Sequence, residues 1–451
     1  MSNASKTINP PNKCSYCGAP CKKGSSRLNV KCEYCDQPIK NSFNFTTLST
    51  TSDFISRGII SIEGVAKTIT TDLKIRTLTS EEADYKNQLN TLRTQIDVID
   101  HGLLETLGKR MKVAVSIGEL KRCLKVSVNP QQIIFSGVGK DKEEIEFSIS
   151  NNIKQLNVES IEELKDVIKI SNNLKRNVNV ALRVNFDINA KTHQKISTGD
   201  ENSKFGIIAE DIVIAYKLLN EAKFVNPFGL AVHVGSQLFD YDVFFETFMK
   251  IKTLAIELRN LGFEVNHLDL GGGFGIDYTK NKLLNYNSFK KAINKVFKKD
   301  EFELSVEPGR SLIADAGILL TKIIRTKSTN LKNFLIVDAA MNNLIRPTLY
   351  NAYHSIEPIQ LDKKRLLKKY DIVGPICETG DFLGLDCDLQ EMYKNEILAI
   401  MTCGAYGSVM RSNYNSRPSA AEILIYDNSE ILLREKEKIE KIIDFDIVPT
   451  F

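Results

Sequence analysis

The sequence predicts an α/β protein: a parallel (β/α) barrel followed by a β-rich domain, with a small separate module at the N-terminus. Three observations predict it. Between residues 113 and 317, short apolar runs alternate with amphipathic stretches, as parallel strands with right-handed crossovers do. Several of these runs stop at a polar or glycine-rich group. Examples are His233–Ser236 after Leu230–Val232, Gly271–Gly273 after His267–Leu270, and Glu307–Arg310 after Phe302–Val306. A (β/α) barrel collects its chemistry at such carboxyl ends. After Ile318 the helical signal thins, and Asn333–Val337, Tyr370–Val373, Glu396–Thr402 and Glu422–Tyr426 read as strands of a second domain over 318–451.

The composition narrows the class of protein. A chain of 451 residues exceeds one ordinary core, so two or three domains are expected. Hydrophobic content of 42% and charged content of 26% are those of a soluble globular protein. A formal charge of +4 gives no reason to expect nucleic acid or an anionic membrane as partner. No apolar run is long enough to span a bilayer, and Met1–Asn12 lacks the apolar core of a secretory signal. Nine scattered cysteines argue against a disulfide framework, so a reducing cytoplasm is the expected compartment.

Taken in order, residues 1–45 carry Cys14-x-x-Cys17 and Cys32-x-x-Cys35 with fourteen residues between the inner pair. Two such turns can aim four thiolates at one ion, so a zinc-ribbon-like module with structural Zn²⁺ is expected. The alternative is unpaired thiols in a polar tail. Residues 46–112 read as a Ser/Thr-rich linker and then an amphipathic helix from about Ser80 to Gly108, its stripe formed by Leu89, Leu92, Ile96, Ile99, Leu103 and Leu107. The segment from Leu92 to Lys121 resembles the first helix of the all-helical chorismate mutases. That resemblance implies that Arg93, Arg110 and Lys121 would hold the two carboxylates of chorismate. The further helices of such a site do not follow in the sequence, which favours a helix packed on a neighbour.

Seven barrel strands are expected at Val113–Ser116, Ile133–Ser136, Gln155–Val158, Val178–Val184, Gly229–Val234, His267–Leu270 and Phe302–Val306. Helices are expected between them at Lys142–Asn151, Ile161–Asn173, Ala209–Ala222, Tyr241–Leu261 and Ser288–Lys298. A closed barrel needs eight strands. The rim offers three chemical groups. The glycines Gly271–Gly273 let backbone N–H groups approach an anion such as a phosphate. Glu307 and Arg310 place a carboxylate, able to pair with a protonated pyridine nitrogen, beside a guanidinium able to clamp an anion. His233 offers an imidazole to stack on a planar cofactor; away from such a rim, a lone histidine is more often a satisfied core residue.

A longer resemblance carries more. Ser136-Gly-Val-Gly-Lys140, Ala181-Leu-Arg-Val-Asn185, His233-Val-Gly-Ser-Gln237, Asp269-Leu-Gly-Gly-Gly273, Glu307-Pro-Gly-Arg310, Arg346-Pro-x-x-Tyr350, Cys377-Glu-x-Gly-Asp381 and Gly404-Ala-Tyr406-Gly are similar to the motifs of diaminopimelate decarboxylases. The similarity runs from about Ser116 to the C-terminus. It implies an alanine-racemase-like barrel over 113–317, a C-terminal β-domain, and pyridoxal 5′-phosphate as cofactor. By this resemblance His233 stacks on the pyridine ring and Glu307 pairs with its nitrogen. Gly272, Gly273, Gly309 and Tyr406 hold the phosphate, with Ser236 nearby. Arg310, Arg346 and Tyr350 grip the carboxylate at the non-reacting end of the substrate, and Glu378 its amine. Cys377 returns the proton after CO2 leaves, acting with Glu378 across a homodimer interface.

The implied reaction converts meso-2,6-diaminopimelate to L-lysine and CO2. One departure stands out. The family holds its cofactor as a Schiff base on a lysine at the end of the first barrel strand, where this sequence has Leu92-Arg93-Thr94-Gln95. The missing lysine and the missing eighth strand are one absence, which implies impaired catalysis. A non-catalytic protein that binds pyridoxal phosphate or an amino acid is the alternative, and chorismate mutase activity in a helix-swapped oligomer a distant third.

Overall fold

The computed structural model describes residues 112–188, 203–279, 286–298, 301–426 and 429–449. The cysteines Cys14, Cys17, Cys32 and Cys35, the residues Arg93 and Arg110, and the segment Leu92–Gln95 lie outside the described residues.

The first sheet is parallel throughout. Its strands are β1 (Lys112–Ala114), β2 (Ile133–Phe135), β3 (Gln155–Val158), β4 (Val178–Asn185), β5 (Ile207–Ile208), β6 (Val225–Ala231), β7 (His267–Asp269) and β8 (Glu303–Ser305). They lie in the order β1-β2-β3-β4-β6-β7-β8, with the two-residue β5 paired to β4 off that path. All seven expected strands are present. Among the described residues β1 and β8 each have one strand neighbour and form the two ends of the sheet.

Helices α1 (Ile117–Lys125), α2 (Lys142–Ser150), α3 (Ile161–Leu174), α4 (Ile212–Glu221), α5 (Tyr241–Asn260) and α6 (Tyr286–Val296) cross between the strands. Local chemistry starts them. Ser116 and Ser160 accept the Glu119 and Glu163 N–H groups at 3.3 and 3.1 Å, and Asp141 forms a reciprocal capping box with Glu144. Strand and crossover side chains pack into one core that includes Phe135, Leu156, Leu182, Leu230 and Leu268.

Two expectations change here. Strand β6 begins at Val225, four residues before the expected start. Val180 faces Pro227 and Ala181 faces Gly229, so Phe228 is an extra, bulged residue. Proline has no N–H for the ladder, which disguised this strand in the sequence. Lys121, the last residue of the chorismate-mutase-like segment, lies in a helix, Ile117–Lys125, that is absent from the expected set. The strand Lys112–Ala114 and a cap at Ser116 precede that helix.

The second sheet has β9 (Leu319–Ser328), β10 (Asn333–Val337), β11 (Ile356–Pro358), β12 (Leu367–Val373), β13 (Phe382–Gln390) and β14 (Ile397–Ile400) in the order β11-β14-β9-β10-β12-β13. A hairpin of β15 (Glu422–Tyr426) and β16 (Ser429–Arg434) follows. Short helices α7 (Arg310–Ile313), after β8, and α8 (Arg346–Tyr350), after β10, bring basic residues towards the first sheet's carboxyl edge. This sheet has its own core, built around Ile323, Leu335, Ile372 and Leu398. Among the described residues no helix is long and apolar enough to cross a membrane.

Candidate active site

Backbone hydrogen bonds stitch the loops after β6, β7 and β8 together. Glu307 N–H donates to the Gly271 carbonyl at 2.8 Å, and Leu238 N–H to the Gly273 carbonyl at 2.8 Å. Gly271 N–H donates to Asp269 Oδ1 at 3.0 Å. The approach is too close for side chains: a Cβ on Gly272 would stand 2.1 Å from the Glu307 carbonyl oxygen and 3.6 Å from His233 Cε1. Gly273 adopts φ +90°, a conformation L side chains rarely take, and its Cβ would meet the Gly235 carbonyl at 2.1 Å. Phe274 anchors the far end of this loop. Its buried ring lies 4.6 Å edge-on from Phe289 and 5.4 Å from Phe244, which ties the loop to α5 and α6.

The structure therefore gathers His233, Gly272 and Glu307 at one point. The Gly272 N–H donates to His233 Nδ1 at 3.1 Å, so that nitrogen is the acceptor and the ring proton sits on Nε2. Burial, with the nearby Arg183 charge, pushes the imidazole pKa down to about 3, so His233 presents a neutral ring. Glu307 behaves oppositely. Burial, then the neighbouring Asp269 carboxylate, holds its carboxyl well above the usual range. Its Oε1 is buried without a hydrogen-bond partner. Below this group Arg183 donates to both oxygens of Glu159 at 3.0 Å and to the His233 carbonyl at 3.4 Å, while Glu159 accepts the Gly137 N–H at 2.9 Å. This buried pair fixes the backbone of two rim loops.

Beside the cluster opens a cavity of about 490 Å³, lined in part by Ser236, Gln237, Tyr278, Arg310, Arg346 and Tyr350, with Tyr406 at its edge. Arg310 donates to Ser236 Oγ and to Tyr278 Oη, both at 3.1 Å, and lies 4.6 Å from the Tyr406 ring. Tyr406 is held at φ +57°, uncommon for a tyrosine and typical of functional sites. Arg346, 5% exposed, stacks 4.4 Å from the Tyr278 ring. Among the described residues no carboxylate pairs with either guanidinium. Two such cations facing one cavity leave anion-binding capacity unused.

Gly309 precedes α7, and a Cβ there would meet nothing within 4 Å, so open space adjoins it. Cys377 and Glu378 lie elsewhere. Cys377 is an exposed free thiol whose N–H donates to Asn415 Oδ1 at 3.2 Å, and Glu378 hydrogen-bonds Tyr414. Neither lines the cavity of its own chain. Among the described residues no lysine lines it either. Lys140, at the end of the β2 loop, is buried and pinned by Glu163 at 2.7 Å and by the Gly137 and Asn157 carbonyls. The sequence motifs did not single out Tyr278 or His354. Both sit in irregular loops, and only their contacts with Arg310 and Arg346 reveal them.

Comparison with known proteins agrees with this geometry. A family model described as the pyridoxal binding domain of pyridoxal-dependent decarboxylases matches residues 93–314, taking in most of the mutase-like segment. A diaminopimelate decarboxylase of Neisseria meningitidis is 41% identical over 346 residues, 77% of this chain and 84% of that protein. One of Zymomonas mobilis is 39% identical over 328 residues, 72% of this chain and 77% of that protein. The crystal structure of Helicobacter pylori diaminopimelate decarboxylase complexed with L-lysine superposes with a TM-score of 0.72 at 36% identity, covering 76% of this chain and 85% of that one. A viral arginine decarboxylase at 19% identity and a TM-score of 0.62 shares the fold.

Proposed function

The chain belongs to the diaminopimelate decarboxylase family, and from that premise we propose that it converts meso-2,6-diaminopimelate to L-lysine and CO2 with pyridoxal phosphate. The observation that carries the reading is the pairing of two unmatched guanidiniums on the cavity with an unpartnered, buried Glu307 oxygen behind it. The first calls for an anionic ligand such as a carboxylate; the second calls for a hydrogen-bonding partner.

Pyridoxal phosphate fits these residues. Glu307, protonated by its surroundings, would give its orphaned Oε1 a partner in the ring nitrogen and hold a proton there. Neutral His233 would lie against the ring face without adding charge. Gly272, Gly273 and Gly309, with Ser236 and Tyr406, would take the phosphate on their backbone N–H groups and hydroxyls, and open space adjoins Gly309. When bound, the cofactor supplies an acceptor for the electron pair left as a carboxylate departs.

The chain's own residues do the rest. Arg310, Arg346 and Tyr350 bind the carboxylate at the far end of the substrate and so orient the reacting end towards Glu307. Glu378 binds the distal amine, and the Cys377 thiol returns a proton to the carbon that lost CO2. On this reading both serve the cavity of a second copy in a homodimer, which agrees with their position outside the cavity of their own chain. The test is CO2 release and L-lysine formation from meso-diaminopimelate by the purified chain with added cofactor. Loss of both in Arg346→Ala is expected.

A second reading has its own support. Among the described residues the sheet ends at β1 and β8, where the resemblance would put the lysine-bearing strand, and no lysine lines the cavity. On that reading the chain binds the cofactor or an amino acid without turnover. Borohydride reduction followed by peptide mapping separates the two, because it fixes the cofactor only where a lysine carries it. The N-terminal Cys14, Cys17, Cys32 and Cys35 set remains a proposed structural zinc site, tested by metal content with and without Cys14→Ser/Cys17→Ser.

A further inference from the structure

We infer that His354, which lies behind the cavity wall, sets the orientation of the Arg346 guanidinium and thereby the preference for ligands with a distal carboxylate. The inference rests on the cavity reading above and adds a positioning residue to it.

Arg346 Nη1 lies 2.7 Å from His354 Nε2, and His354 Nδ1 lies 2.8 Å from the Met401 carbonyl oxygen. Both partners dictate the tautomer. A guanidinium can only donate and a carbonyl can only accept, so Nε2 is the acceptor and Nδ1 carries the proton. Every position around the ring agrees with neutrality. His354 is 3% exposed, Arg346 and Arg310 are its charged neighbours, the Tyr278 ring meets it edge-on at 5.2 Å, and the buried Cys403 thiol lies 3.8 Å from Nδ1. Burial lowers the imidazole pKa to about 4, and that of the thiol beside it rises to about 12.

The consequence is geometric. Arg346 is clamped on two sides, by the His354 acceptor at Nη1 and by the Tyr278 ring, whose centre lies 4.4 Å from the guanidinium carbon. Its remaining N–H groups are left for the cavity, and rotation of the planar fork would break the His354 bond. The same Tyr278 accepts from Arg310, so one tyrosine fixes the spacing of both guanidiniums. A carboxylate therefore meets a pre-ordered pair of donors, and little side-chain entropy is lost on binding. The Met401 carbonyl belongs to the segment after β14, so the second sheet holds the histidine that aims the arginine.

The test is calorimetric titration of the cofactor-loaded full chain with L-lysine and with 1,5-diaminopentane, which is L-lysine without its carboxylate. In the wild type L-lysine is expected to bind better. His354→Phe keeps a flat ring without the acceptor and should cut that preference by about tenfold or more, the worth of a hydrogen bond to a charged group. Binding of 1,5-diaminopentane should hardly change. His354→Gln restores an acceptor and should recover most of the preference, which a purely structural role would not predict. The double variant should lose no more of that preference than Arg346→Ala alone, because both changes remove one device.

An unchanged preference in His354→Phe, with the wild type still preferring L-lysine, overturns this inference and leaves the cavity reading intact. Additive losses in the double variant also overturn it. A wild type without any preference for L-lysine overturns the cavity reading and this inference with it.

Discussion

Replacing Glu307 with glutamine should flatten part of the pH dependence of stability. The two side chains have the same shape, so packing is preserved and only the titratable proton is lost. An unfolded chain ionises its glutamates in the ordinary carboxylate range. The folded chain keeps Glu307 protonated above that range, because burial and the adjacent Asp269 carboxylate raise its pKa. Between the two titration points the native state binds one more proton, so stability falls as pH rises. The slope is about 1.4 kcal/mol per pH unit across that window. Urea unfolding followed by circular dichroism, in half-unit steps from pH 5 to 8 without cofactor, measures it. Subtracting the wild-type curve from the Glu307→Gln curve cancels shared contributions such as that of Asp381, whose pKa is also raised by burial. The difference should grow steadily in favour of glutamine. Added pyridoxal phosphate should narrow or reverse it, since ligand binding stabilises the wild type more. Two parallel curves would refute both the buried protonated carboxyl and the role assigned to its free oxygen.

Gly272→Ala forces a Cβ to within 2.1 Å of the Glu307 carbonyl. It should cost about 1–3 kcal/mol in chemical unfolding, as overpacking does, and abolish the absorbance change on adding cofactor. Phe274→Ala removes the ring that ties the glycine loop to Phe244 and Phe289. A loss of about 3–5 kcal/mol is expected by urea unfolding. Mixing inactive Cys377→Ala and Arg346→Ala chains through a denaturation–renaturation cycle should restore about a quarter of wild-type CO2 release. Half of the dimers would be mixed, each with one intact cavity of two. No recovery, with mixed dimers present, would remove Cys377 from the partner's cavity.

The barrel strands were legible because burial on both faces favours apolar residues in them, as in Ile133–Phe135. Strands β9 and β13 were not. The outer half of β9, through Arg325, Thr326 and Lys327, is exposed, and β13 carries Gly384, Asp386 and Asp388, a composition that reads as a turn. Site residues followed the same division. His233, Gly272 and Glu307 announce themselves because each ends a strand. Tyr278 and His354 do not, since their meaning depends on contacts 32 and 8 residues away along the chain and on loops without periodicity. The Arg183–Glu159 pair was equally silent: both look like ordinary strand-end charges until burial brings them together.

Cofactor recognition and cofactor attachment draw on different parts of this fold. The residues assigned to ring and phosphate come from the loops after β6, β7 and β8, which hydrogen bonds stitch together, and from Tyr406. None of those bonds uses β1, where the described sheet ends. The family resemblance assigns attachment to a lysine at the end of the first barrel strand. A chain can therefore lose the second property and keep the first, because the glycine loop, the neutral His233 and the protonated Glu307 depend on burial supplied by α5, α6 and the Arg183–Glu159 pair. Arg183→Met tests that separation directly. It leaves Glu159 buried and unpaired, which should cost about 3–5 kcal/mol of stability. Cofactor affinity should fall with it, since the His233 carbonyl loses a donor. If affinity is unchanged while stability falls, the pair supports the fold without holding the ring face, and recognition has to be sought in the rim loops alone.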